Sequence, residues 1–377
     1  MKPGVIVEEF GDWAVFAAKH AEDWRRIAHA SDVATVFQTW EWNAAWWQHN
    51  GRGRRLWAMA FSDSGQTVGL AALCLPPLVA PFRTAQWVGT GGSDYGDLLA
   101  LPRREAAVAQ AFEDALRNRR NRWDYVALAQ VRPGAVAESL IEHAAVEAWP
   151  GETCPYLALP GDWETFRKGL NKKLRSNVGY YARALEKQFT VEYRTATPET
   201  FASDMAAFYE LHQKRWRRRF MPGAFASRQA RAFHETAARQ LLEADILRLH
   251  TLTLDETVRG ALYCFQKGKR CYYYLGGFEP ELARLSLGTV LTAHAIRYAI
   301  ERDGATEFDF LRGDEPYKYK WGAQDRFNRT LSLTRPGFVR PRLLRRLGQT
   351  SLDWEMRAKH YMHQKHGAGK REREKQD

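Results

Sequence analysis

Residues 282–320 read LARLSLGTVLTAHAIRYAIERDGATEFDFLRGDEPYKYK, and their spacing decides the fold. Leu287, Leu291, Ala295 and Ile296, with Ala299 and Ile300, recur at helical intervals and make one apolar stripe. Arg284, Ser286, Gly288 and Thr289 mark where that helix starts, and Asp303-Gly304 ends it. Glu307-Phe308-Asp309-Phe310-Leu311 then reads as a buried strand, left through the polar loop Arg312-Gly313-Asp314-Glu315-Pro316. A helix start placed after a strand and turn points free N–H groups and its positive dipole end outward, so an anionic group is expected there.

Working back from this stretch, Leu247–Thr253, Val258–Gln266 and Cys271–Gly276 read as three successive antiparallel strands with turns at Asp255-Glu256 and Gly268. Before them come helices at Pro198–Arg218 and Arg228–Glu243, the first carrying Phe201, Met205, Phe208, His212 and Trp216 on one side. Asp162 is placed to N-cap a longer helix. Phe166, Leu170, Leu174, Val178, Tyr181 and Leu185 form its buried stripe, and Lys168, Lys172, Lys173 and Arg175 its basic face.

The first half repeats the pattern. LWAMAFSDSGQTVGLAALCL is echoed by LRLHTLTLDETVRGALYCF, and Asp124 in WDYV stands after its hairpin much as Asp309 in FDFL stands after the second. A helix is expected at Arg104–Arg119 and another at Ala135–Ala148. The expected architecture is α/β (α+β): two tandem units, each a mixed, mostly antiparallel sheet flanked by helices. The expected boundaries are residues 1–160, residues 161–335, and a basic tail, partly disordered, at 336–377.

Composition narrows the function. The net charge of +12 favours an anionic partner or a solvated arginine-rich surface. Cys74, Cys154, Cys264 and Cys271 form no Cys-x-x-Cys pair and have no histidine at zinc spacing, so reduced thiols and no metal are expected. The N-terminal MKPGVIVEEF lacks the apolar run of a signal peptide, and the apolar stretch Val68–Phe82 is broken by prolines. A cytoplasmic protein is expected. The proline-rich Leu75–Phe82 segment and the Leu343-Leu344-Leu347 run among arginines add peripheral contact with an anionic membrane, at its inner face. No nucleic-acid motif is present, so no nucleic-acid partner is expected.

Successive antiparallel strands, then a helix, then a strand, is not the alternation of a doubly wound fold. LNKKLRSNVGYYARALEK, FYELHQKRW, the Val258–Phe265 strand, YYYLGGFEPELARLSLGTVL and FDFLRGDEPYKYKWG, taken in this order, resemble the GNAT acyltransferases. The likeness is to the bacterial CelD-like, polysaccharide-biosynthesis-associated group and, more distantly, to the Fem peptidyltransferases. It spans residues 160–335, and FQTWEW and SDYGDLL extend it to a degenerate first unit. The chain departs from the usual phosphate loop: Arg284 stands one residue early and Val290 replaces a small residue.

The resemblance implies acyl-CoA, acetyl or longer-chain, as co-substrate, held by Arg284, Ser286, Gly288, Thr289 and Lys318; the bland reading of Lys318 is a solvated lysine. Direct transfer to an amine needs a proton acceptor, an oxyanion donor and an acid for the leaving thiolate. Tyr317, at the strand exit, is the preferred acid, against ordinary packing. Asp309 orients the amine or a water, or is a paired structural carboxylate. Asp314 is a loop acid near the acceptor, and His212 is either a base or a core histidine. Asp94, Tyr95, Asp97 and Glu315 are placed in the acceptor site between the units. The acceptor is a small-molecule, lipid or glycan amine: a sphingoid-type long-chain amine, or an amino sugar of an exopolysaccharide or lipid-linked glycan. A Fem-like transferase dependent on aminoacyl-tRNA and a non-catalytic GNAT scaffold are the alternatives.

Overall fold

The computed structural model describes residues 5–75, 83–142, 145–217 and 223–337. The first half runs β1 (Ile6–Phe10), α1 (Trp13–Ala30), α2 (Trp40–Asn50), β2 (Arg55–Asp63), β3 (Gln66–Leu75), β4 (Thr84–Trp87), β5 (Leu99–Ala100), α3 (Glu105–Asn118), β6 (Tyr125–Val131) and β7 (Glu147–Ala158). The second runs α4 (Trp163–Gly169), α5 (Lys172–Glu186), β8 (Val191–Thr195), α6 (Phe201–Arg217), α7 (Arg228–Glu243), β9 (Leu247–Leu254), β10 (Thr257–Lys267), β11 (Arg270–Phe278), α8 (Leu287–Glu301), β12 (Glu307–Asp309), α9 (Pro316–Lys320) and β13 (Gln324–Thr334).

All strands join one mixed sheet in the order β1-β2-β3-β4-β6-β13-β7-β12-β11-β10-β9-β8, with β5 paired to β3. The order is palindromic. β4 lies parallel to β6 just as β11 lies parallel to β12. The backbone repeats in detail. Asp124 and Tyr125 N–H both reach the Arg83 carbonyl, as Thr306 and Glu307 N–H both reach that of Lys269. Asp124 is therefore the counterpart of Thr306, and Ala127 that of Asp309. The sequence equivalence of the two aspartates is out of register by three. Asp124 instead pairs with Arg83 and Arg335.

The units meet by exchanging strands. β7, from the first half, lies between β12 and β13, and β13, from the second, lies between β6 and β7. Over one face, α1, α2, α6 and α7 share a continuous core, with Trp42 against Phe233 and Phe265. On the other face are two separate cores, one under α3 and one under α8.

Three local expectations change. The helix expected at 135–148 is a 3₁₀ turn, Val136–Glu142, and β7 has already begun at Glu147. The basic helix breaks at Leu170, which is extended (ψ 147°), so α4 and α5 are separate and Asn171 caps the second. The strand read as 307–311 ends at Asp309 because Leu311 is left-handed (φ 57°). The four cysteines are free and buried. Among the described residues, no helix is long and apolar enough to cross a membrane, and no cluster of side chains could hold a metal ion. Residues 76–82 and the Leu343–Leu347 run lie outside the described residues.

Candidate active site

β11 and β12 pair only through Arg270–Tyr272 and Glu307–Asp309, after which β11 runs on to Phe278 paired with β10 but not with β12. Where they part, β11 carries a bulge: Tyr263 pairs with Leu275 and Cys264 with Tyr273, leaving Tyr274 as the extra residue. A bulge takes backbone groups out of the ladder and turns the strand. The Tyr274 hydroxyl donates to the Gly92 carbonyl over 2.8 Å, tying the bulge to the glycine-rich loop of the first half.

Beyond the bulge come Gly276 and Gly277, both closely packed. A Cβ on Gly277 would stand 2.6 Å from the His212 amide, so α6 needs a glycine there. α8 starts beside the end of β11: a Cβ on Gly288 would lie 3.3 Å from the Phe278 ring. Its N-cap, Ser286, is left-handed (φ 49°) and makes no side-chain cap. Arg284 in the preceding 3₁₀ turn is exposed, and Ser286, Gly288 and Thr289 are half-buried. These four expected phosphate contacts thus gather at one helix start.

Asp309 is wholly buried. Its Oδ2 accepts from the Tyr95 hydroxyl (2.7 Å) and from Arg326 (3.0 Å), and its Oδ1 from the Leu311 amide (2.7 Å). Burial pushes its carboxyl up to about 6, against the opposing pull of Arg326 and Tyr95. Arg326 also grips Glu307 with both terminal nitrogens and lies over the Tyr156 ring. Alongside, Arg312 donates to Asp94 (2.5 Å) and Glu152 (3.2 Å), and its own pKa is held up by those charges against burial. Asn328 donates to the Asp94 carbonyl and to Gln130. Asp94 and Tyr95 therefore bond to residues of the second unit.

Asp97 does not join them. It accepts from the amides of Leu98, Val136 and Ala137, holding the 3₁₀ turn of the first half. Burial raises it to about 6. The corresponding cleft of the first half is filled: a Cβ on Gly96 would stand 2.4 Å from the Ala129 carbonyl and 2.5 Å from the Trp87 ring.

Lys318 is neither solvated nor turned toward the α8 start. It is 2% exposed, and its ammonium donates to the carbonyls of Leu311 (3.2 Å), Arg312 (2.9 Å) and Gly313 (2.9 Å) while pairing with Glu315 (2.9 Å). A buried cation wrapped by three successive carbonyls fixes the loop, whose Leu311 and Gly313 are both left-handed. Glu315 is thereby engaged with Lys318, and Asp314 is exposed. His212 is buried under Phe225, and its Nε2 accepts from the Trp216 indole (2.8 Å). Desolvation lowers it to about 4, so it is neutral with that lone pair occupied.

Tyr317 follows Pro316 in the first turn of α9, half-buried, with its ring 6.4 Å from that of Tyr273 and 6.1 Å from that of Phe310. Burial pushes its phenol far above the usual range. The residues that sequence reasoning missed are Arg326, Arg312, Glu152 and Asn328. Each sits in β7, β13 or the loop before α9, and only the strand exchange brings them to Asp309 and Asp94.

Residues 172–319 match the family model described as acetyltransferase (GNAT) domain. No curated protein matches the chain significantly. Among solved structures, FemX superposes with a TM-score of 0.61 at 11% identity, over 85% of this chain and 96% of that one. A protein of unknown function from Bacteroides thetaiotaomicron gives 0.56 at 8% identity, over 87% and 100%. The C-terminal domain of a candidate lysylphosphatidylglycerol synthetase from Agrobacterium fabrum gives 0.55 at 13%, over 84% and 92%. The chain thus has the GNAT-type acyltransferase fold in tandem, and its second unit carries the match to the domain.

Proposed function

We propose that the protein is a GNAT-type N-acyltransferase that moves an acyl group directly from acyl-CoA to a primary amine, through its second unit. One observation carries this reading: β11 and β12 part at a bulge, beside the uncapped start of α8. The parted strands offer a slot for the acyl-pantetheine arm, the bulge a strand N–H for the thioester oxyanion, and the helix start a site for the pyrophosphate. Ser286, Gly288 and Thr289 line that start, with Arg284 at its rim. Tyr317 gives its proton to the leaving thiolate. Asp309, with Tyr95, orients the amine side, and Asp94 holds the wall through Arg312. Lys318 acts on the loop rather than on phosphate.

The acceptor reading is a lipid or glycan amine, long-chain or amino-sugar, in keeping with the CelD-like motifs and the basic composition. Thiol release from acetyl-CoA and palmitoyl-CoA in the presence of sphingoid bases and amino sugars tests both parts. The chain-length preference separates a lipid-forming enzyme from a glycan acetylase. If neither acyl-CoA raises the melting temperature and no thiol is released, the reading fails. Turnover that requires aminoacyl-tRNA would instead establish the Fem-like alternative.

A further inference from the structure

The outer face of α5 takes no part in the scheme above. Leu174, Val178, Tyr181 and Leu185 turn one side of this helix to the core. At about 3.6 residues per turn, Lys172, Lys173, Tyr180, Arg183 and Lys187 fall within about 100° of one another on the other side, along about 22 Å of helix. All of them are exposed, Tyr180 by 61%. Asn171, the N-cap, also donates from its side-chain amide to the Lys320 carbonyl (3.0 Å), so exposed Lys320 adds to the positive surface at this end. Cations on other helices are paired within their own helix: Arg26 with Asp23, Arg117 with Glu113, Arg297 with Glu301. α5 has a single acid, Glu186, and among the described residues no carboxylate stands within ion-pair reach of Lys172, Lys173, Arg183 or Lys187. Lys172 and Lys173 also occupy the first turn, where the helix dipole disfavours cations and no acid offsets them. Arg183 and Lys187 stand four apart, a repulsive spacing for like charges. The helix carries its charges where they oppose its own stability.

We propose that this face of α5 docks on an anionic lipid bilayer. Negative headgroups laid along the face relieve the repulsion at the helix start and that between Arg183 and Lys187 together. A small phosphate ligand needs donors gathered on one point of a concave site. Here the cations are spread along a convex helix, matching charges that are spread over a surface. Tyr180, in the middle of the face, supplies an amphipathic ring of the kind that sits at headgroup level. Each basic side chain brought near such a surface adds an attraction that falls away within a Debye length. The inner side of α5 packs against α8 and the 3₁₀ turn before it, so docking sets the second unit against the bilayer. The docking does not rest on the acyltransferase reading.

The test is co-sedimentation of the full chain with vesicles of phosphatidylcholine alone and of phosphatidylcholine with phosphatidylglycerol at about 3:1. The wild type is expected to bind the mixed vesicles only, and to be released when salt rises from about 0.1 M to about 0.5 M. A variant carrying Lys172→Gln, Lys173→Gln, Arg183→Gln and Lys187→Gln is expected to bind at least about tenfold more weakly. Its thermal midpoint should hold or rise, since the substitutions remove unfavourable charge from the helix. A matched variant with Arg52, Arg117, Arg239 and Arg297 changed to Gln should lose less than about threefold. Tyr180→Ser should weaken binding about threefold or more, and serves even if the fourfold α5 variant does not fold. A wild type that ignores anionic vesicles, an α5 variant that binds them undiminished, or equal losses in the two fourfold variants overturns the proposal. So does an α5 variant that keeps vesicle binding and instead loses affinity for tRNA or for acyl-CoA, which would make the face a nucleic-acid or cofactor contact. None of these outcomes reads acyl transfer, so failure here leaves the acyltransferase reading standing, and thiol release tests that reading separately.

Discussion

The Tyr95 hydroxyl donates to the Asp309 carboxylate over 2.7 Å, across 214 residues of chain. It joins the glycine-rich loop of one unit to the end of the short strand β12 in the other. Tyr95→Phe removes that bond without changing shape. A hydrogen bond to a charged group contributes roughly 1.5–3 kcal/mol, so the unfolding free energy read from urea titration should fall by an amount in that range. Under the acyltransferase reading, turnover should fall as well.

Asp309 also sets a pH dependence. Its folded-state value, about 6, lies above the ordinary 3.8 because burial disfavours the charge. The folded protein then holds the proton that the unfolded chain releases. The resulting stabilisation is fully present below about pH 4 and is lost as pH rises through about 6. In urea titrations from pH 4 to 7, the wild type should therefore gain on Asp309→Asn as the pH falls. A difference that stays constant with pH would remove this account.

Lys318 distinguishes a loop-fixing cation from a phosphate ligand. Lys318→Met leaves three carbonyls and Glu315 facing an apolar side chain. The Glu315 side chain is 44% exposed and can turn to water, so the cost lies in the carbonyls left without a donor, about 1–3 kcal/mol for each buried one. The expected outcome is a large drop in thermal stability. A phosphate ligand would instead show a weakened donor KM at unchanged stability.

Tyr317→Phe keeps the packing against Tyr273 and Phe310 and removes only the hydroxyl. Turnover should fall about 100-fold or more, with acyl-CoA binding by thermal shift nearly intact. Full activity would take Tyr317 out of the acid role.

The strand exchange makes a prediction about fragments. A chain starting at residue 161 lacks β7, leaving β12 and β13 without the strand that joins them. It should show no cooperative melting, whereas adding back residues 147–160 should improve it. Circular dichroism on the two fragments decides this.

Elements whose patterning is local were readable from the sequence. The stripe of α8, the hairpins β2–β3 and β9–β10, and the Asp162 cap, whose carboxylate accepts from the Thr165 amide at 2.8 Å, are examples. β13 was visible only at Leu331–Leu333, because its first part, QDRFNRT, faces solvent or polar partners on alternate residues and lacks an apolar signature. β7 was hidden by Pro150, Gly151 and Pro155. The Asp309 site could not be read in full, since its partners come from three distant segments and nothing in the spacing of Arg326 announces them. The register of the repeat failed because both aspartates sit beside aromatics, while the backbone pairing aligns Asp124 with Thr306.

The exchange of β7 and β13 also bears on the order of events during synthesis. The first unit leaves the ribosome with β6 lacking its neighbour, since that neighbour is β13. Nearly two hundred residues separate the end of β6 at Val131 from the start of β13 at Gln324. Until those residues appear, β6 is an open edge, and pairing across such separations is slow. The nascent first half is therefore exposed to association with other chains for most of its translation. The sheet closes only when almost the entire described chain has been made.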